Sequence, residues 1–163
     1  MLRPPVSAAR PELDAYDRQL LALVQEDAAQ TAEALSQRVP LSASAIQRRL
    51  KRLREEGVIQ AQVAVLDPRR LGGGTLFLAA LQLAREQPDG MNRLRKWLLA
   101  CAEVQQAYYI TGDSDFAVLV CVPDVASYEA LMSRLMADNP DVVRYTTSVV
   151  LAPVKRGLAL PVF

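Results

Sequence analysis

Histidine is absent from this chain of 163 residues. That removes the commonest general base and the commonest imidazole metal ligand. Cysteine occurs twice, as Cys101 and Cys121, with no Cys-x-x-Cys pair. A zinc site is not expected, and both residues sit in apolar runs where cysteine acts as a small hydrophobe rather than in a disulfide. Net charge is only +1, so any basic surface has to be local. The longest apolar stretch, TLFLAALQLA (75–84), is too short to span a bilayer. The opening residues, MLRPPVSAARPE, lack an apolar segment and are read as a loose arm (1–12), not a secretory signal. The expectation is a cytoplasmic protein with no membrane partner, no metal, no cofactor and no catalytic residues.

What the chain does have is patterning. Hydrophobic residues make up 51%, enough for a buried core. Residues 13–60 read as three helices. In the first, Leu13, Tyr16, Leu20, Leu23 and Val24 share a face. The second starts at Thr31, read as its N-cap, and turns Leu35 and Val39 inward; Pro40 stops it. The third runs through SASAIQRRLKRLREEG, with Ser42 as N-cap, a stripe of Ile46, Leu50 and Leu53, and Gly57 at its end. Two helices joined by a tight turn and braced by a third form a helix-turn-helix pattern.

This third helix carries five basic residues within seven positions (48–54). On a helical wheel Ser44, Gln47, Arg48, Lys51 and Arg52 point away from the stripe, and Arg49 lies beside it. Such a charge run is commonly a solvated face. Against that, Glu55 and Glu56 fall only at the C-terminal end, so no regular i, i+4 pattern neutralises it. The helix start, with Ser42 and Ser44, is small and polar, and the helix follows a tight turn, as a DNA-recognition helix does.

Residues 61–74 are read as a linker strand and hinge: VIQAQVAVL (58–66) alternates, and a triple glycine at 72–74 breaks it. Residues 75–163 follow the order strand, helix, strand, strand, helix, strand, with strands near 75–84, 104–111, 115–122 and 142–151. Met91, Leu94, Leu98 and Cys101 stripe one helix; Tyr128, Leu131, Met132, Leu135 and Met136 stripe the other. The order is that of the ferredoxin-like βαββαβ unit, so the fold class is α/β in the α+β sense. Strand FAVLVCV is apolar on both faces and calls for cover on both. One chain has helices for one face only, and a second copy covers the other most simply. The motif ITGDSDF between two strands reads as a hairpin turn with exposed carboxylates; two close aspartates alone are a poor case for a divalent cation.

Four separated stretches in order resemble the Lrp/AsnC regulators: LDAYDRQLLALVQED, LSASAIQRRLKRLREEGVI, YITGDSDFAVLV and VVRYTTSVVLAPVK. The resemblance runs from about Leu13 to Lys155. It implies a helix-turn-helix (winged-helix-like) domain that binds double-stranded DNA. It further implies a C-terminal domain that assembles homodimers into larger forms such as an octamer and binds a small-molecule effector, an amino acid or related metabolite. Carried over, Asp113 or Asp115 accepts hydrogen bonds from an effector ammonium group. Gly112 allows close backbone approach, Tyr109 and Thr111 shape the pocket wall, and Thr147 comes from an adjoining dimer. Ser114 and Tyr145 depart from the family's usual aromatic and threonine. The expected function is sequence-specific transcriptional regulation. The alternatives are an architectural DNA-binding protein without a ligand, and a metabolite-sensing module or enzyme.

Overall fold

The computed structural model describes residues 11–84 and 87–162; all but the last two residues of the expected N-terminal arm lie outside them. The chain divides into two compact units, one of residues 11–65 together with 156–162, the other of residues 66–155.

In the first unit the helices are α1 (Ala15–Glu26), α2 (Ala32–Ser36) and α3 (Ala43–Glu55). Each N-terminus is capped by the side chain before it: Asp14, Thr31 and Ser42 accept from Asp17, Ala34 and Ala45 N–H groups. These bonds satisfy backbone donors that a helix leaves unpaired. Gly57, at φ +73°, turns the chain out of α3 in a conformation that costs glycine little. Leu20, Leu35, Val39, Ile46, Leu50 and Leu53 form the core, with Leu13, Leu23 and Val24 packed against it. Tyr16, expected on the same face, is partly exposed. A different occupant takes that side of α1: Asp17, only 1% exposed.

The segment after α3 is not the strand its alternation predicts. Residues 60–67 are neither helical nor paired, and Val63 and Val65 lie exposed. Alternation marks a strand only where a partner strand supplies the ladder, and none among the described residues does. The C-terminal tail also differs from the expected division. Gln25 donates to the Leu160 carbonyl at 3.0 Å and accepts from its N–H at 2.7 Å, and Val162 packs on the helical core.

The second unit holds β1 (Thr75–Leu83), α4 (Pro88–Ala100), β2 (Val104–Tyr109), β3 (Phe116–Val122), α5 (Val125–Asp138) and β4 (Val142–Val149). The sheet order is β2-β3-β1-β4, antiparallel throughout, which is the ferredoxin-like arrangement the element order predicts. Phe77, Ala79 and Leu81 on β1 and Phe116, Val118 and Val120 on β3 point to the helices and are buried with Leu94, Leu98, Leu131 and Met132. The opposite face, carrying Leu76, Leu78, Ala80, Ala117, Leu119 and Cys121, is turned away from α4 and α5; Leu78 stays 46% exposed. Cys101 and Cys121 are both free thiols and both partly buried.

Candidate DNA interface and effector loop

Helix α3 presents a line of exposed polar side chains. Ser42, Ser44, Gln47, Arg48 and Lys51 are all exposed, while Ile46, Leu50 and Leu53 are buried on the far side. The spacing explains this: at about 100° per residue, Ser44, Arg48 and Lys51 fall opposite the core stripe. Ser42 is also tied up as N-cap, its hydroxyl 3.3 Å from the Ala45 N–H and 3.1 Å from the Ser44 hydroxyl. Lys51 lies 3.8 Å from Glu55, a loose pair between two largely exposed side chains that contributes little.

Arg52 behaves differently from the expectation. It is half-exposed but paired: its Nη2 meets Asp17 Oδ2 at 2.5 Å, and its Nε is buried without a hydrogen-bond partner. Arg49 is held too, its Nη1 at 2.7 Å from Asp14 and 2.8 Å from Asp17, with its guanidinium 5.7 Å from the Tyr16 ring centroid. The wheel points Arg52 away from the core stripe and sets Arg49 beside it, but a wheel for one helix carries no information on what a neighbouring helix offers. Here α1 offers two carboxylates. Asp17 also completes a capping box, accepting from the Asp14 N–H at 3.2 Å while Asp14 accepts from the Asp17 N–H at 2.8 Å. Burial alone pushes the Asp17 carboxyl up; the hydrogen bonds from Arg52, Arg49 and Asp14 outweigh it and hold it below its ordinary value. The Asp14 carboxyl is lowered first by the Asp17 N–H and then by Arg49. A signal was available in the sequence, Asp14 and Asp17 three apart at a helix start, but its partner residues lie more than thirty positions away.

In the second unit, the loop 110–115 closes the β2–β3 hairpin. Gly112 sits at φ +115°, a region that disfavours any residue with a Cβ, and nothing lies within 4 Å of where such a Cβ would be. Thr111 and Asp113 are exposed. Asp115 is not an exposed turn carboxylate. Its Oδ2 accepts from the Leu83 N–H at 2.7 Å, its N–H donates to Leu81 O at 2.9 Å, and its carbonyl accepts from the Ile110 N–H at 2.8 Å. It closes the end of β1 where pairing with β4 slips at Gln82 and Leu83. Its second carboxylate oxygen keeps lone pairs for another donor.

Tyr109 lies on the helix side of β2, its ring 5.4 Å from that of Phe116 and 5.6 Å from the Arg95 guanidinium. Thr147, on β4, bonds through its hydroxyl to Tyr128 at 2.7 Å. Within one chain Thr147 and the loop are not brought together: β1 stands between β3 and β4 in the sheet. Tyr128 was expected only as a core residue, and it does stack on Phe77 at 4.2 Å; its role toward Thr147 has no sequence signature.

Comparison with known proteins matches both units. Residues 13–60 fit the family of winged helix-turn-helix DNA-binding domains, and residues 77–160 fit the Lrp/AsnC ligand binding domain. An HTH-type transcriptional regulator of Sinorhizobium fredii is 38% identical over 93% of this chain and 89% of its own length. The crystal structure of an AsnC family transcriptional regulator from Agrobacterium tumefaciens superposes with a TM-score of 0.83 at 28% identity, covering 91% of this chain and 97% of that one. A Neisseria meningitidis transcriptional regulator in complex with L-methionine gives 0.82 at 26% identity, covering 92% and 97%. No helix among the described residues is long and apolar enough to cross a membrane. With both domain types present in order and relatives matched over nearly their full lengths, this chain belongs to the Lrp/AsnC family of DNA-binding transcriptional regulators.

Proposed function

We propose that this regulator reads double-stranded DNA through Ser44, Gln47, Arg48 and Lys51 on α3. Its working unit is a homodimer built on the open sheet face, and dimers assemble further, into forms such as an octamer. One observation carries the reading of α3: an exposed line of small, polar and cationic side chains, with the apolar residues of the same helix fully withdrawn. Arginine supplies a bidentate donor to a guanine edge, lysine a point charge to phosphate, and glutamine a donor and acceptor for adenine. Ser42 serves the helix as its cap and leaves close backbone approach to the smaller positions around it. Acting on DNA places the protein in the same compartment as the chromosome.

The dimer rests on the apolar face formed by Leu76, Leu78, Leu119 and their neighbours, which α4 and α5 of the same unit leave open. A face of this kind is self-complementary across a two-fold axis. The regulator is tuned by an amino acid or a related small molecule at the loop 110–115. Asp113 accepts from its ammonium group, Gly112 lets the backbone approach, and Thr111 borders the site. Asp115 holds the loop to β1 and offers its remaining oxygen. Tyr109 supports the loop from the helix side, and Thr147 joins from another dimer. The complex of the Neisseria relative with L-methionine makes that amino acid the first to try.

The test is selection of bound duplexes from a random-sequence pool, followed by competition between the selected and random DNA. A selected sequence preferred by at least about a thousandfold supports sequence-specific regulation. Equal competition instead identifies an architectural DNA-binding protein.

A further inference from the structure

We propose that Asp17 is a positioning residue for DNA recognition, drawing Arg49 and Arg52 off the DNA-facing surface of α3 and thereby confining contact to the line Ser44, Gln47, Arg48 and Lys51. The inference rests on the reading that α3 faces the duplex. It changes what the basic run of this helix means, because two of the five cations in 48–54 are already neutralised within the protein.

Three observations carry it. First, position on the helix: at about 100° per residue from Ile46, Arg48 and Lys51 fall at roughly 200° and 140°, and Arg49 and Arg52 at roughly 300° and 240°, together on one flank. Second, that flank meets α1, where Asp14 and Asp17 oppose the two guanidiniums at 2.5 to 2.8 Å. Two cations against two carboxylates leave no local surplus of positive charge to attract phosphate. Third, the anchor is buried. Asp17 is 1% exposed, and three donors converge on it: the Asp14 N–H, Arg49 and Arg52. A carboxylate out of water keeps its charge only while such partners remain, so the arrangement locks both arginines rather than sampling them. The Nε of Arg52 is buried while its side chain as a whole stays 41% exposed, so the Asp17 contact, rather than burial, is what holds this arginine. Locking also fixes α3 against α1 about its own axis, and a recognition surface held by a rigid supporting shell discriminates better than a loose one.

Salt dependence tests this, because each phosphate contact adds about 0.9 to the slope of log K against log salt. The full-length protein is titrated with its selected duplex and with random duplex between 50 and 200 mM salt. Lys51→Ala should lower the slope by about 0.9, which is about a 3.5-fold change in salt sensitivity over that range. Arg52→Gln should leave the slope at the wild-type value. Asp17→Asn should raise the slope as Arg52 is released to phosphate, and lower the preference for selected over random DNA. Adding Arg52→Gln to Asp17→Asn should return the slope to wild type. A merely structural loss would lower affinity and slope together, which is the opposite sign. The inference is overturned if Arg52→Gln lowers the slope as Lys51→Ala does, or if folded Asp17→Asn leaves slope and preference unchanged. If Asp17→Asn does not fold, the Arg52→Gln result alone decides. If neither Lys51→Ala nor Arg48→Ala lowers binding, the reading of α3 itself fails, a result distinct from failure at Arg52.

Discussion

Asp17 on α1 and Arg52 on α3, thirty-five residues apart, meet at 2.5 Å around a carboxylate that solvent hardly reaches. The contact joins the first helix of the domain to the helix proposed to read DNA. Its carboxylate also closes the N-terminus of α1 through the capping box with Asp14. One side chain therefore starts one helix and orients another.

Removing that side chain should cost stability. Asp17→Ala leaves Arg49 with Asp14 alone, strips Arg52 of its partner, and opens the capping box. A charge-assisted hydrogen bond contributes roughly 1.5–3 kcal/mol, so a loss of about 2–4 kcal/mol is expected in urea unfolding. The pH dependence has a definite sign. The Asp17 carboxyl is held below its ordinary value of 3.8 when folded, so its contribution is complete above that pH and is lost as pH falls through the lowered value. Wild type should lose stability steeply below about pH 4, and Asp17→Asn more gradually.

At the DNA surface, Arg48 and Lys51 should separate by kind of effect. If Arg48 meets a guanine edge, Arg48→Ala costs roughly 1–3 kcal/mol on the selected duplex and relaxes preference at one base pair. Lys51→Ala should weaken selected and random duplexes by the same factor. Electrophoretic or anisotropy titrations with single-base variants of the duplex measure both.

The open sheet face supplies an assembly test. Leu78→Asp places a charge at an exposed site on that face, where the folded single chain tolerates it but a packed interface does not. Light scattering at micromolar concentration should give at least twice 17.9 kDa for wild type and a soluble monomer for Leu78→Asp. A wild-type monomer would exclude the proposed dimer.

The two aspartates of the hairpin loop should part company. Asp113→Ala touches an exposed side chain and should leave the melting temperature nearly unchanged. Asp115→Ala removes the acceptor for the Leu83 N–H and should cost about 1–3 kcal/mol. Thermal shift with each of the twenty amino acids then reads the effector. A ligand at a hundred times its Kd adds about 2.7 kcal/mol, and Asp113→Ala should abolish that increase. An equal increase in both proteins would move the effector site away from the loop.

Local patterns were legible because their causes are local. Ser42 and Thr31 cap helices through bonds spanning three residues, and the stripe Ile46, Leu50, Leu53 follows from helical period alone. The order of elements from 75 onward was enough to predict the sheet, since few ways exist to close two βαβ halves over one core. What a neighbouring element supplies was not legible. Only folding reveals that Asp17 takes Arg52, that Asp115 is occupied by the Leu83 N–H, that Tyr128 holds the Thr147 hydroxyl, and that residues 156–162 return to the first unit. The apolar alternation of 58–66 gave the inverse case, a local strand pattern for which the described residues hold no partner strand. Helix period, caps and strand order arise from interactions between residues close in sequence and from one hydrophobic core. Which cations stay free for DNA and which carboxylate stays free for an effector depend on charged groups brought together from distant positions, and only tertiary structure decides those pairings.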